Sequence, residues 1–411
     1  MNIRRISNEE KFDAYVAEHP YGHYMKTARW GRFKKDTEND SYECLGFYEG
    51  DALKGTAMAL REHQCGADYL YVPWGPCIDY TDRKLVKDAF EALKQYCDEK
   101  GVDFLRTDPN VVRVPHDIRG NVLMDFNNEN TTLDIKSTGF KHKGYGYAYN
   151  GSFTNRFTLI VDLKPAEKEI FNNFQSSRRR AIRHHASWHV STHTGDESNI
   201  KDLMYLEGQL TRQDGFKPHS YGFFNDLLQL FKDHARLYVT EIDLDAMMAD
   251  TKKDLESSKY KKDLKAKEKV AENIEKAEKL KKEFGSHVVI ACGLFIYWGN
   301  KSWDLYTYNH KAFGFIRPVD NLHYYAMCDM KKHGVTDYDM VGFSGETTPT
   351  DPNYGLYNYK SSFGPVYTEY IGEFDYIRDY KKRSEFNRRY SLHKHVQMKW
   401  WQIRYKNKKV Y

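Results

Sequence analysis

The sequence predicts an α/β (α+β) protein of two like domains in tandem, the second carrying an inserted helical arm. Three observations predict it. At 411 residues the chain exceeds what one hydrophobic core usually serves, so two domains of about 150 to 200 residues are expected. One order of strands and helices occurs twice. Within the second copy, about forty residues from Asp243 to Phe284 hold no Pro or Gly and read as helix.

The first copy opens with strands. Ser41 to Tyr48 reads as one, ends at the turn Glu49-Gly50-Asp51, and is followed by Leu53 to Leu60 and Tyr69 to Val72, a meander of three antiparallel strands. Arg83 to Lys100 then carries Leu85, Ala89, Phe90, Leu93 and Tyr96 at the spacing of one helical face, and Phe104-Leu105-Arg106 returns to strand character. The second copy repeats the order: Arg236 to Thr240, Val288 to Ile296, Trp303 to Tyr308, a helix around Asn321 to Lys332, and a strand near Tyr338-Asp339-Met340.

Where the first copy has its short turn, the second has the segment 243–284. About half of it is charged, and Leu244, Met247, Met248, Leu255, Leu264, Val270, Ile274, Ala277 and Leu280 recur at broadly helical intervals. It reads as an exposed antiparallel coiled-coil arm of two helices of about 20 residues, reaching some 30 Å from the body. The first domain is expected to span 1–155, completed by 376–411, and the second 156–375, with the active cleft between them.

Composition narrows the function. Apolar residues make up 40% and aromatic residues 15%, with 32 tyrosines, ample material for packed cores and polar-tipped clefts. The first ten residues lack the apolar run of a signal peptide, and no stretch of about 18 apolar residues occurs, so a cytoplasmic protein, soluble or peripheral at the membrane, is expected. Cys44, Cys65, Cys77, Cys97, Cys292 and Cys328 form no C-x-x-C pair and read as reduced, mostly buried thiols. The clusters His184-His185 and His393-Lys394-His395 lack ligand spacing, so no metal is expected.

Net charge is only +5, but it is unevenly spread. One basic block runs from Ser177 to His185, with Arg178, Arg179, Arg180 and Arg183; another runs from Lys381 to Lys409, interleaved with Trp400, Trp401 and Tyr405. Both suit phosphate.

The doubled strand-helix-strand order resembles tandem acetyltransferase (GNAT)-like domains. Local sequences, in order, are more specific: Trp30-Gly31-Arg32-Phe33-Lys34, Tyr71-Val72-Pro73-Trp74-Gly75-Pro76, Phe104 to Pro109, Val341 to Gly345, Gly355 to Gly364 and Glu369 to Asp375. Together they resemble the Fem family of non-ribosomal peptidoglycan-bridge aminoacyltransferases across nearly the whole chain. The resemblance implies transfer of an amino acid (Ala, Ser or Gly) from aminoacyl-tRNA to the stem-peptide lysine of a peptidoglycan precursor, without a cofactor. Because this chain has an arm, the resemblance implies a lipid-linked acceptor, lipid II, ahead of the nucleotide-linked muropeptide UDP-MurNAc-pentapeptide.

Such a transfer is aminolysis of an already activated ester. It needs a cation or hydrogen-bond donor at the developing oxyanion and a neutral attacking amine, but no nucleophile from the enzyme. Lys360 matches the lysine that follows an aromatic residue in the family motif; the resemblance gives it the oxyanion or the terminal adenosine of the tRNA, with Tyr359 packed beside it. Asp108 matches an acidic residue that can orient or deprotonate the acceptor amine. Lys34, four residues after Trp30, matches a lysine that binds the diphosphate of the precursor. Tyr306 matches a substrate-contacting tyrosine.

Two positions depart from the family pattern. Asp304 replaces a second tyrosine. A phosphate-binding arginine falls near His219, with Lys217 the closest fixed cation, and either or neither takes its role. The Arg178 to Arg183 block suits a tRNA backbone. The Lys399 to Tyr405 tail suits an anionic membrane interface or a helix packed on the first domain.

Two other classes compete. An acyl-CoA N-acyltransferase usually has an R/Q-x-x-G-x-G/A turn for the pyrophosphate, which no strand here precedes. A non-catalytic tRNA-binding protein differs from an enzyme in not distinguishing charged from uncharged tRNA. Oligomeric state is left open by the sequence.

Overall fold

Where the chain turns within a few residues it makes hairpins, and one helix in each half carries it across to a parallel neighbour. The computed structural model describes residues 1–38, 41–123, 126–147, 153–256 and 264–408. The first half runs β1 (Asn2–Arg5), α1 (Glu9–Glu18), α2 (Ala28–Glu38), β2 (Ser41–Glu49), β3 (Ala52–Gln64), β4 (Ala67–Val72), α3 (Arg83–Lys100), β5 (Phe104–Thr107), β6 (Val112–His116), α4 (Glu129–Ser137) and β7 (Lys141–His142). The second begins with β8 (Phe157–Asp162), α5 (Glu167–Asn173), α6 (Ser176–Ser187), β9 (Val190–Gly195), α7 (Ile200–Asp214), α8 (Tyr221–Phe231) and β10 (Ala235–Asp243). It continues through α9 (Leu244–Glu256), α10 (Leu264–Phe284), β11 (His287–Trp298), β12 (Lys301–Asn309), α11 (Pro318–Lys332), β13 (Asp337–Gly342), α12 (Tyr354–Ser361) and β14 (Val366–Tyr370). The strand β15 (Phe374–Ile377) and the long helix α13 (Tyr380–Tyr405) follow.

Local chemistry sets these elements. β2 and β3 join through Gly50, whose φ of 61° is a left-handed value that glycine takes without strain. Asp82 caps α3 by accepting from the amides of Lys84 and Leu85, and left-handed Gly101 ends it. That helix carries the chain across, so β5 lies parallel to β4. α11, with Pro318 in its first turn, does the same, and β13 lies parallel to β12.

The sheets have the strand orders β1-β2-β3-β4-β5-β15-β7 and β9-β10-β11-β12-β13-β8-β14-β6. Their first five positions correspond one for one, and the sixth strand is antiparallel in each. The duplication read from the sequence is thus present in the topology. The sheets do not divide at residues 155 and 375, however. β6 pairs with β14 in the second sheet, and β15, beginning at Phe374, pairs with β5 and β7 in the first. Covering the open edges of β5 and β14 is the physical reason: each would otherwise present unpaired backbone groups.

The arm is an antiparallel pair. Lys281 on α10 meets Asp245 on α9 at 2.5 Å, and Lys252 meets Glu278 at 3.1 Å. At its root Leu244, Met247, Met248, Ala277 and Leu280 bury with Val190, Ile290 and Phe313. α9 has 13 residues and α10 has 21; residues 257–263 and the side chains of Leu264 and Val270 lie outside the described part.

One core joins the halves. Phe12, Val16 and Phe33 of the first pack in the same buried cluster as Phe224, Phe231, Trp298 and Trp303 of the second. The Trp298 indole donates to the Asp13 carbonyl at 3.3 Å. α13 folds back on the first sheet, with Phe386 against Tyr69 and Phe104. Among the described residues no helix is long and apolar enough to cross a membrane.

Candidate active site

Three cavities of about 150, 230 and 210 Å³ follow the seam between the sheets. The first and third share Trp74, Thr154 and Asn155; the second and third share His23, Trp303 and Asp339; Tyr370 joins the first to the second. Aromatic rings of Trp74, Trp303 and Tyr370 line this path.

A buried carboxylate stands on each side of the seam. Asp108, at the end of β5, lines the first cavity and accepts hydrogen bonds from the Tyr71 hydroxyl at 2.9 Å, the Thr154 hydroxyl at 2.6 Å and the Trp74 amide at 2.6 Å. Asp339, in β13, lines the second and third cavities and accepts from the Thr158 hydroxyl and, at 2.7 Å, from the Val341 amide. Trp74 and Val341 have φ values of 57° and 53°, so both amides that reach these carboxylates come from residues in the left-handed region. For a bulky or β-branched residue this conformation is strained, and strain of this kind gathers at functional sites.

Burial raises both carboxyls. Asp108 is pushed up to about 7, helped by the charge of Glu373 and opposed by its three hydrogen bonds. Asp339 rises to about 6 against the pull of its Thr158 and Val341 bonds and of Lys360. Groups poised near neutrality beside a cavity suit proton transfer.

Lys360, on α12, is buried and donates to the carbonyls of Val341 at 3.3 Å and Gly342 at 3.0 Å, two residues of the third cavity's wall. Burial lowers its pKa, while Asp304 and Asp339 pull it back up. Asp304, itself raised to about 6 by burial, is held by the Thr307 hydroxyl at 2.5 Å. An ammonium thus sits within the field of two carboxyls behind the cavity wall. Gly342 permits this tight wall, for a Cβ there would come within 1.9 Å of the Asn155 side chain.

The structure connects Trp30, His219 and Tyr306 through a relay of rings. Tyr306 meets His219 with centroids 4.9 Å apart, and His219 meets Phe223 at 4.2 Å. Phe223 meets Phe33 at 5.2 Å, Phe33 meets Trp30 at 5.1 Å, and Trp30 meets Tyr24 at 5.3 Å. Tyr24 reaches Trp303 of the cavity wall at 5.1 Å. Lys34, one turn along α2 from Trp30, pairs with Glu38. His219 is fixed by the buried Glu207, which accepts from its Nδ1 at 2.5 Å and its amide at 3.0 Å.

Other expected site residues lie elsewhere. Tyr359 does not share the wall that Lys360 reaches, since neighbours on a helix point about 100° apart; its ring packs beneath Arg178 at 4.5 Å and against Phe363 at 5.5 Å. Lys217 lines an open groove beside α13. The arginine block divides around α6. Arg178 is buried, paired with Asp320 and bonded to the Ser362 hydroxyl at 2.9 Å, so it cannot meet a tRNA phosphate. Its face of the helix, with Ile182 and His185, turns inward. Arg179 donates to the Asn172 carbonyl at 2.8 Å, while Arg180 and Arg183 are exposed.

Sequence reasoning missed Asp339, His23 and Trp303, and also Lys26. The last is buried, donates to the Tyr21 carbonyl at 2.7 Å and to Asn110 Oδ1 at 2.8 Å, and is pushed down to about 7 by burial. For Asp339 a signal existed: a carboxylate set between Tyr338 and Met340 in a strand. Among the described residues no group of three His, Cys, Asp or Glu side chains could hold a metal ion.

The chain matches the FemAB family over residues 7–382. It is 23% identical over 408 residues to the lipid II:glycine glycyltransferase of Staphylococcus aureus (strain USA300), covering 92% of this chain and 93% of that protein. The crystal structure of FemX superposes with a TM-score of 0.74 at 21% identity, covering 97% of this chain and all of FemX. A tandem GNAT protein from the clavulanic acid biosynthesis pathway is a more distant likeness, with a TM-score of 0.47 at 10% identity, over 91% of this chain and 97% of that one. The fold class expected from the sequence, an α/β chain of two like halves with an inserted helical arm, is the one observed.

Proposed function

This chain belongs to the FemAB family, and from that premise we propose that it is an aminoacyltransferase of peptidoglycan bridge synthesis. It moves Ala, Ser or Gly from aminoacyl-tRNA to the stem-peptide lysine of lipid II, working at the cytoplasmic face of the membrane. The relative in Staphylococcus aureus, named as a lipid II:glycine glycyltransferase, supports a lipid-linked acceptor. The observation that carries the reading is the pair of buried carboxylates facing a seam of connected cavities, with an ammonium behind the wall.

In the proposed reaction the lysine ε-amine attacks the ester carbonyl of the donor. The new C–N bond forms as the C–O bond to the ribose breaks, the amine gives up a proton, and the ribose oxygen gains one. Asp108, raised to about 7, takes the amine proton. The ammonium of Lys360 favours the negative charge that develops on the carbonyl oxygen. Rings of Trp74, Trp303 and Tyr370 along the cavities exclude the water that would hydrolyse the ester. Trp30, Lys34, His219 and Tyr306 hold the acceptor, and Arg180 and Arg183 give the tRNA backbone a cationic contact.

The test uses purified protein with detergent-solubilised lipid II and each of the three charged tRNAs, with mass spectrometry of the acceptor. Addition of one residue mass from at least one charged tRNA, and none from deacylated tRNA with free amino acid, is the expected outcome. Addition of an acetyl group from acetyl-CoA instead, or binding of tRNA irrespective of charging without any product, would overturn the proposal.

A further inference from the structure

Among the described residues, exposed large apolar side chains concentrate in the second half of α13. Leu392, Val396, Trp400 and Ile403 are 62%, 55%, 48% and 74% exposed. They recur at i, i+4, i+8 and i+11 and so share an arc of about 80° of the helix. The opposite side, with Lys394, Gln397, Trp401 and Tyr405, is the partly buried one turned to the body. Beyond α13, the Asn407 amide donates to the Arg212 carbonyl at 2.8 Å, which ties the end of the helix to α7.

Charge follows the same pattern. From Phe386 to Lys408 the sequence has no acidic residue. Arg388 and Lys399 flank the apolar stripe on one side, and Arg404, over the Trp400 ring at 4.9 Å, flanks it on the other. Aliphatic side chains rimmed by cations and a tryptophan match the layered chemistry of a bilayer surface, hydrocarbon below and phosphate above. A nucleic-acid backbone rewards the cations but not Leu392, Val396 and Ile403.

Position adds a second argument. A groove of about 470 Å³ between Lys217 and α13 is lined by Val396, Trp400 and Arg404. Lys217 lies two residues before His219, whose ring meets Tyr306 at 4.9 Å. The apolar stripe therefore adjoins the outer end of the ring relay that leads to the cavities.

We propose that the outward face of α13 docks the protein on an anionic phospholipid surface, an inference that rests on the lipid-linked-acceptor reading above and gives it a place on the molecule. Leu392, Val396, Trp400 and Ile403 enter the acyl boundary. Arg388, Lys399 and Arg404 meet the headgroup phosphates. A lipid-linked acceptor then reaches the seam without leaving its membrane.

The test is flotation of the full chain with phosphatidylcholine vesicles, with and without phosphatidylglycerol, at low and high salt. Leu392→Ser/Ile403→Ser is the variant, since both side chains are exposed and the fold does not depend on them. Expected is binding to the phosphatidylglycerol vesicles that weakens with salt, and a partition coefficient at least about tenfold lower for the variant. Transfer to a detergent-solubilised acceptor stays at the parental rate, while transfer to a vesicle-embedded acceptor falls.

No flotation, or equal flotation of parent and variant, overturns the proposal. So does a dimer that the variant abolishes, or a loss of tRNA affinity with unchanged vesicle binding. Vesicle binding lost in the variant, with no transfer to any acceptor by either protein, upholds the docking face and defeats the catalytic reading instead.

Discussion

Replacing Lys360 by Met removes the ammonium while keeping the length and bulk of the side chain. Its two hydrogen bonds, to the carbonyls of Val341 and Gly342, are lost. Leaving buried acceptors unpaired costs about 1–3 kcal/mol each, against a total stability of about 5–15 kcal/mol. The cost is offset in part because a buried lysine no longer has to be desolvated. Asp304 and Asp339 lose the cation that holds them down, and both carboxyls, already near 6, become neutral close to pH 7. Neutralisation spares the fold an unpaired buried charge, so the variant is expected to remain folded.

Catalysis has no such escape. Loss of one preorganised donor or charge at a developing oxyanion typically lowers turnover by about 10²–10³. Single-turnover transfer with saturating aminoacyl-tRNA reads this chemical step, with circular dichroism and thermal melting as the check on folding. A fall in turnover at saturation assigns Lys360 to the oxyanion. A rise in the KM for aminoacyl-tRNA alone assigns it to the donor's adenosine. Turnover within about twofold of the parent, in a protein that melts normally, would remove Lys360 from the reaction and refute the reasoning.

Further predictions follow from the buried charges. Because burial raises Asp108 to about 7, kcat/KM should fall as pH drops below about 7, and Asp108→Asn should abolish that acid limb while lowering the rate about 10²-fold or more; an unchanged pH profile in the variant excludes Asp108 as the base. Arg178→Ala should destabilise the protein by about 3 kcal/mol in urea denaturation, because buried Asp320 loses its buried partner and keeps only the more exposed Arg317 at 3.0 Å. Arg180→Glu/Arg183→Glu should instead leave stability intact and weaken tRNA binding with a reduced salt slope; the reverse assignment of the two effects contradicts the structure.

Asp13, Asp108, Asp304 and Asp339 all have folded-state pKa values of about 6 to 7 against 3.8 unfolded. The folded state therefore binds more protons in between, and stability should decline as pH rises from about 4 to about 7, then level off. Asp339→Asn should flatten that decline, by about 3 kcal/mol across the window. Acid loss through Asp375 and Glu369, whose pKa values are lowered chiefly by ion pairs and hydrogen bonds to arginines, belongs below the window.

Local elements were legible because their causes are local. The helix from Arg83 to Lys100 carries its cap and its apolar face in its own sequence, and the observed bounds of α3 coincide with it. The meander β2-β3-β4 likewise follows from turn chemistry and strand character, and its counterpart β10-β11-β12 from strand character and the repeated order. Strand exchange was not legible, since β6 and β15 are placed by open sheet edges that only the assembled fold presents.

The site divides the same way. Asp108, Trp30, Lys34 and Tyr306 are singled out by motif and His219 by a departure from it, and Trp30, His219 and Tyr306 lie along one relay of rings. Arg178 was misassigned because four arginines in six residues look alike in sequence, while helical geometry sends one inward to Asp320. Asp339 escaped notice because its partners, Thr158 and Lys360, are remote in the chain.

The most direct test of the account is where a radiolabelled amino acid goes. Alanyl-, seryl- and glycyl-tRNA are offered with lipid-linked and nucleotide-linked muropeptides in parallel, and the acceptor is fragmented in the mass spectrometer. The account predicts label on the ε-nitrogen of the stem lysine, from charged tRNA, with the lipid-linked acceptor preferred. Label on another atom, or no label from any donor and acceptor pair with a folded protein, contradicts it.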